Sequence, residues 1–417
     1  MTDLPAAAPG STPLVIRDAT VADVAAGSLT ENQTLVLAEG LIQDIGSAPD
    51  LPSDAREVSA GGRIVIPGLI DAHVHVLAGT ADLFRQAEES PFYVGARGSQ
   101  IMRSMLRRGF TTVRDVGGAD HGVSRAVAEG LWEGPRVVFG GRALSPTGGH
   151  GDGRAPSRFA SDDTCCDIGL VCDGESEVRR AARHQLRTGA HHVKIMLSGG
   201  VASPTDRVDS LQFSDSEITA VVEEAEAANR YVAGHAYTAR AVNRGLRLGV
   251  RSIEHGNLID DDSVELFRAH SAFLVPTLVT YDRLKAEGAA AGLPPASQEK
   301  VDVVLEAGLR ALERAWRGGV DVVFGTDLLG AMHPHQCAEF RIRGEVMPAR
   351  DVLLSATETA ARLLNAEGRL GVLAPGAAAD LLVVDGDPLQ DPGVLADPDR
   401  HLRAVVQAGR LVTSSLP

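Results

Sequence analysis

No uninterrupted apolar run in this 417-residue sequence approaches the length that spans a bilayer. The opening stretch, MTDLPAAAPGSTP, also lacks the basic and apolar regions of a secretory leader, so a soluble, cytoplasmic protein is expected. Positive charge is in deficit: 55 acidic residues face 40 basic ones, for a formal charge of −15. Such a surface repels nucleic acid and anionic membranes and leaves a small molecule as the expected partner. Cysteine is scarce too. Cys165, Cys166 and Cys172 share one polar segment and Cys337 stands alone, with no CxxC pair and no disulfide framework. Adjacent cysteines suit a zinc site poorly, so reduced thiols are expected.

What is present is 44% apolar residues, enough at this length for the core of one large domain and a smaller one. From Leu14 to Val65, short β-type runs alternate with turns (LVIRDA, TLVLAEGLIQDIG with a hairpin turn at Gly40, GRIVI). The C-terminal end repeats that style in ADLLVVDGDP (379–388) and RAVVQAGRLV (403–412). Residues 1–66 and 369–417 are therefore expected to form one small β-sandwich from both termini. Between them, over 67–368, β-type runs alternate with helical patterns, as a parallel α/β fold requires. The runs fall at 68–76, 110–117, 136–141, 191–197, 231–236, 252–256, 272–278 and 321–327, and eight is the number that closes a (β/α)8 TIM barrel. Helices are expected over 175–189, over 214–230 with a capping box at Ser214 and Glu217, and over 238–249.

The active site of such a barrel forms at the C-terminal ends of its strands. His73 and His75 fall there at strand one, Lys194 at strand four, His235 at strand five, His255 at strand six and Asp327 at strand eight. A two-residue spacing turns His73 and His75 to one face of an extended strand. A single histidine on an apolar strand is usually structural, but four histidines and an aspartate at strand ends of one barrel form the donor set of hydrolytic zinc or manganese. Lys194 lies in the apolar run VKIML; burial near cations favours its neutral amine, which reacts with carbon dioxide to give an anionic carbamate.

PGLIDAHVHV (67–76), the Lys194 strand, GHAYT (234–238), SIEHG (252–256), GTD (325–327) and the ADLLVVDGDP strand together resemble the binuclear branch of the amidohydrolase superfamily. The resemblance implies that His73, His75 and Asp327 bind one divalent ion and that His235 and His255 bind a second. N6-carboxylated Lys194 would bridge them. The ions would be zinc, or manganese or cobalt, and would stabilise the oxyanion. Asp327 would take the proton of the attacking water and pass it to the leaving amine. SPTGGHGD (145–152), HHVKIMLSGGVASPTD (191–206) and GTDLLG narrow the resemblance to Xaa-Pro dipeptidases and related carboxypeptidase-like amidohydrolases, including ochratoxin-hydrolysing members. In that group the residue matching His150 would polarise the scissile carbonyl or touch the substrate, and the one matching Tyr237 would bind its terminal carboxylate. The implied substrate is a small amide with a free carboxylate, and the implied assembly a homo-oligomer.

Bland readings stand beside these: His150 in a tight turn facing solvent, Tyr237 as a packed aromatic. Arg154 offers a planar fork to a carboxylate or is a solvated surface charge. His333 and His335, just past strand eight, reach substrate or solvent. His191 and His192 suit core packing. Asp115 orients a ligand histidine or caps its loop. Imidazolonepropionase, phenylurea hydrolase and thiocarbamate hydrolase are rival activities within the superfamily. A mononuclear deaminase fits less well, because the position three after His235, where such enzymes place glutamate, is Thr238. A catalytically dead scaffold barrel would be expected to have lost ligand positions.

Overall fold

In the computed structural model, which describes residues 12–154, 166–203, 206–290 and 295–416, the chain enters as three antiparallel strands. They are β1 (Leu14–Asp23), β2 (Ser28–Ala38) and β3 (Leu41–Gly46). The turn expected at Gly40 joins β2 to β3: Glu39 and Gly40 have φ of 55° and 78°, the paired left-handed geometry that matches the twist of a hairpin. Two further strands, β4 (Arg56–Ser59) and β5 (Ile64–Pro67), lie parallel to β1.

From Leu69 the strands become parallel and are separated by helices. β6 (Leu69–Val74), β7 (Phe110–Asp115) and β8 (Arg136–Phe139) form one sheet. The second contains β9 (Ala143–Ser145), β10 (Gly169–Val171), β11 (His192–Met196), β12 (Tyr231–Thr238), β13 (Ser252–Leu258), β14 (Phe273–Val275) and β15 (Asp321–Val322), in the order β10-β9-β11-β12-β13-β14-β15. This α/β arrangement is consistent with a TIM barrel. Backbone hydrogen bonds link the two sheets: His191 N donates to Phe139 O beside β8, and Ala72 N on β6 donates to Phe324 O just past β15, both at 2.9 Å.

Helices expected from periodicity run over Glu175–Arg187, Asp215–Ala227 and Ala239–Arg247. The second opens with the expected capping box, Ser214 and Glu217 each satisfying the other's backbone N–H.

Six of the eight runs form shorter strands than expected, and at three of them the reason is local. The run at 136–141 stops at Phe139, where Gly140 and then Gly141 at φ 72° turn the chain into the short strand β9, which the sequence reading did not anticipate; nor did it anticipate β10. The run at 272–278 stops at Val275 because Pro276 has no N–H to offer, and Leu278 already starts a helix, Leu278–Glu287. The run at 321–327 leaves the ladder after Val322: Phe324 N donates to Ser355 O at 2.9 Å, and Asp327 takes φ 52°.

The last strands, β16 (Leu381–Val384), β17 (Leu402–Gln407) and β18 (Arg410–Ser414), return to the beginning of the chain. β16 pairs antiparallel with β5, Val384 opposite Ile64 and Leu381 opposite Pro67. The result is one sheet of order β18-β17-β16-β5-β1-β2-β3, with β4 beside β1. Side-chain alternation gives it two buried faces. Leu381 and Val383 pack with Leu14, Ile16, Leu35 and Leu37, while Leu382, Val384, Val405 and Ile66 join the main core around Leu69 and Phe110. That explains why β16 reads as a continuous apolar run.

Cys172 and Cys337 are buried free thiols, and burial pushes both up to about 12. Cys165 lies outside the described residues. Among the described residues, no helix is long and apolar enough to cross a membrane.

Candidate active site

His73 is the last residue but one of β6 and His75 follows the strand, with rings 5.6 Å apart. Asp327 reaches both: its Oδ1 is 3.2 Å from Nε2 of His75 and 3.5 Å from Nε2 of His73. Among the described residues these three form a group whose donor atoms lie within 4.8 Å of one another, suited to a metal ion. A buried brace holds the two chain segments together beneath them. Asp71 accepts from Thr326 Oγ1 (2.6 Å), Gln336 Nε2 (2.9 Å) and the backbone N–H groups of Thr326 and His73 (both 3.2 Å).

His235 on β12 and His255 on β13 bring their rings to 4.6 Å, and His255 lies 4.9 Å from His73. Lys194 on β11 is buried, which pushes its ammonium down to about 8. All six side chains line one cavity of about 310 Å³. His255 and Asp327 both take left-handed backbone, with φ of 74° and 52°. Such geometry costs roughly 1–3 kcal/mol per residue and collects at functional sites.

Each histidine commits one ring nitrogen to a protein oxygen. Nδ1 of His73 meets Glu254 Oε2 at 2.7 Å, Nδ1 of His75 meets Gly117 O at 2.7 Å, Nδ1 of His255 meets Thr277 Oγ1 at 2.8 Å, and Nε2 of His235 meets Gly199 O at 3.3 Å. The other nitrogen of each is left for a ligand, the arrangement that fixes tautomer and ring orientation around bound metals. Burial drives His235 and His255 well below the ordinary imidazole value, which keeps them in the neutral form that ligates metal. The residues therefore fit a metal centre.

The sequence reading did not single out three of the supporting groups. Glu254 and Arg114 are both fully buried: Arg114 Nη2 contacts the two Glu254 oxygens at 2.7 and 2.8 Å, and its Nε donates to Ala72 O at 2.6 Å. Burial alone would raise the Glu254 carboxyl, but Arg114 and His73 outweigh it and hold it well below the usual value. Tyr281, from the helix after β14, places its hydroxyl 2.8 Å from Nδ1 of His255 and donates to the hydroxyl of Tyr237 at 3.0 Å.

His150 and Tyr237 line the same cavity. The His150 ring stacks on His235 at 4.3 Å, and burial pushes it down to about 4. Arg154 and His333 are not among the cavity-lining residues. Both forks of Arg154 are taken by Asp152, at 2.6 and 2.5 Å. His333 is buried in the turn after strand eight, where Nε2 meets Ala78 O at 2.9 Å and pins the loop that carries Ala81 and Leu83 to the cavity wall. His335 pairs with Glu287 at 3.0 Å, and His192 is core, stacked on Tyr231. Asp115 caps its own loop through the N–H groups of Val76, Gly117 and Ala119, and so shapes the segment whose Gly117 carbonyl meets His75. Leu83, Met196, Val201, Leu284 and Leu329 give the cavity an apolar wall.

The chain is similar to several known proteins. An ochratoxinase from Aspergillus niger is 30% identical over 409 residues, covering 92% of this chain and 84% of that protein. Among solved structures, a prolidase complexed with N-methylphosphonate-L-proline is 47% identical with a TM-score of 0.95, covering 97% of this chain and 100% of that one. A Xaa-Pro dipeptidase with methionine bound in its active site is 28% identical with a TM-score of 0.84, covering 96% and 99%. Residues 64–412 match the family described as the amidohydrolase family. With that match over most of its length and a His/His/Asp donor group at the mouth of its parallel strands, the chain is a hydrolase and belongs to the amidohydrolase family.

Proposed function

We propose that this protein is a binuclear metal-dependent amidohydrolase that cleaves the amide bond before the C-terminal residue of a dipeptide or N-acyl amino acid. The reading is carried by the convergence of His73, His75, Lys194, His235, His255 and Asp327 on the cavity that Tyr237 and His150 also line. The relatives named prolidase, Xaa-Pro dipeptidase and ochratoxinase support that substrate class. In this reading the two parallel sheets are one closed (β/α)8 barrel over 67–368, and residues 1–66 with 369–417 form a companion β-sandwich.

Two divalent ions, zinc foremost with manganese or cobalt compatible, would sit on His73, His75 and Asp327 and on His235 and His255, polarising the carbonyl and making water nucleophilic near pH 7. Lys194 would lie between them as its carbamate: the neutral amine adds to carbon dioxide, a C–N bond forms and one proton leaves. Its depressed basicity favours that neutral amine.

The chain's own groups do the rest. Burial would raise the Asp327 carboxyl, but His73 and His75 outweigh it and hold it well below the ordinary value, so it stands ready as a proton acceptor. It takes the proton released as water attacks the carbonyl carbon and returns it to the departing nitrogen. Tyr237 receives a hydrogen bond from Tyr281, which leaves its own O–H to donate to the substrate carboxylate. The apolar wall excludes water and accepts the acyl part. At the position where a deaminase would place an acid, Thr238 instead caps the helix Ala239–Arg247.

The test is turnover of Xaa-Pro, Xaa-Arg, Xaa-Lys and N-acyl-phenylalanine substrates with zinc, manganese or cobalt, using Asp327→Asn as control. Metal-dependent cleavage of at least one class, lost in the variant, is expected. Full activity in Asp327→Asn sinks the proton-transfer role, and equal turnover of carboxamide-capped substrates sinks the carboxylate anchor.

A further inference from the structure

The loop after β6 puts one acid on the cavity wall. Ala81, Asp82 and Leu83 all line the cavity, and its two carboxylates are Asp82 and Asp327. Asp327 belongs to the donor group of His73 and His75. Asp82 stands outside that group, between two apolar neighbours in the chain.

The backbone holds Asp82 firmly. Its Oδ1 accepts from Arg85 N–H at 3.1 Å, capping the short helix Leu83–Gln86. Its own N–H donates to Thr80 Oγ1 at 3.2 Å, and its carbonyl accepts from Gln86 N–H at 3.1 Å. The buried Gln86 side chain accepts from Gly79 N–H at 2.7 Å and closes the loop. On the other side the loop rests on Gly330, which has φ 55° and where a Cβ would come within 3.0 Å of Thr80 Cα, so that position requires glycine.

The carboxylate itself is only half used. A cap needs one oxygen, and among the described residues Oδ2 of Asp82 has no partner and no basic side chain pairs with it. A carboxylate left unpaired on an apolar wall favours a cation over a neutral group and repels an anion.

Strand order says which end of a substrate meets it. Tyr237 is on β12, the fifth of the eight β-type runs, and Asp82 follows β6, the first. In the closed barrel of the reading above, the first and fifth strands of eight lie opposite one another. With its terminal carboxylate at Tyr237 and its amide over the donor group, a substrate turns its acyl half toward the loop of Asp82.

We propose that Asp82 binds a positive charge on the acyl half of the substrate, and so favours dipeptides over N-acyl amino acids with a neutral acyl group. The proposal rests on the amidohydrolase reading for the placing of the two ends. The ligand chemistry is an ammonium, either the α-amino group of the first residue or the side chain of a first lysine.

Asp82→Asn tests it, because asparagine caps a helix as well as aspartate does and only the charge is lost. Ligands that are not turned over read the site apart from any activity; a related prolidase binds N-methylphosphonate-L-proline. Calorimetry on zinc-loaded protein compares the methyl-, aminomethyl-, pentyl- and 5-aminopentylphosphonyl derivatives of L-proline. The gain from each amino group over its parent ligand is expected to be about tenfold to a hundredfold larger in the wild type than in Asp82→Asn for at least one pair. A difference in the aminomethyl pair assigns the α-ammonium, and one in the aminopentyl pair assigns the side chain. The 2-carboxyethylphosphonyl derivative is expected to reverse the sign and bind Asp82→Asn more tightly, which loss of a cap does not produce. Asp82→Ser, a neutral cap, is expected to match Asp82→Asn. Equal gains in wild type and variants, or no binding of either amino ligand, overturns the proposal.

Turnover separates the proposal from the reading beneath it. The kcat/KM ratio of Ala-Pro to N-acetyl-Pro, or of Lys-Pro to Met-Pro, is expected to fall in Asp82→Asn by the factor that calorimetry gives. If the wild type cleaves no amide, the amidohydrolase substrate reading fails, and the calorimetry still decides the role of Asp82.

Discussion

The Glu254 carboxylate lies 2.7 Å from Nδ1 of His73, and neither side chain reaches solvent. Glu254 also neutralises the buried Arg114, so one residue joins the stability of the core to the orientation of the His73 ring. Glu254→Gln keeps the size and removes the charge. Breaking one member of a buried pair costs about 3–5 kcal/mol, and disturbing a histidine's outer partner costs about 10- to 100-fold in metal affinity. Urea unfolding and zinc titration of the variant should both show the loss; unchanged stability would mean that Arg114 is satisfied by Ala72 O and Ser252 alone.

Tyr281→Phe removes the donor that faces Tyr237 and a partner of His255. The Tyr237 proton is then free to turn back, and the carboxylate anchor weakens. The expected outcome is a rise in KM of about fivefold to tenfold for substrates with a free carboxylate, with a smaller change in kcat. Carboxamide-capped substrates should show no such rise.

Lys194→Met keeps the buried volume and deletes the amine. His73, His75 and Asp327 remain as a donor group, so elemental analysis should fall from two ions per chain to one, with kcat down by at least about a hundredfold. Two ions retained in the variant would remove the bridging role of Lys194.

His333 is buried, and its folded value is pushed down to about 4 by burial, against an ordinary 6.5. Between those values the unfolded chain binds the proton and the folded chain resists it. Stability is therefore full above pH 6.5 and falls as the pH drops toward 4, by up to about 3 kcal/mol for this group. His333→Gln should flatten that part of the stability profile, as urea midpoints at pH 7 and pH 5 would show; a variant as pH-sensitive as the wild type would place the effect on another histidine.

The six proposed ligand positions are legible in the sequence because each puts a metal-binding or ionisable side chain at the carboxyl end of an apolar run, and all six line one cavity. Glu254 is hidden although it adjoins His255 in SIEHG. Its parity turns it inward, and its partner Arg114 is 140 residues away, so nothing local announces the pair. Tyr281 is hidden because Pro276 ends strand seven early and starts a helix that the apolar pattern alone does not mark. Arg154 pairs with Asp152, two residues earlier, a local contact that the sequence reading did not weigh. Asp327 was placed on a strand and sits instead in a left-handed turn beyond it, a change the backbone makes without moving the residue out of the cavity.

The pairing of β16 with β5 sets an order on synthesis. Ile66 and its neighbours are made before the parallel-strand region, and Leu382 and Val384, which complete their layer, only after it. Until release, the nascent chain must carry the open edge of β5 and its apolar flank through translation of the whole parallel-strand region. A chain ending just before Leu381 would leave that edge and its apolar flank uncovered.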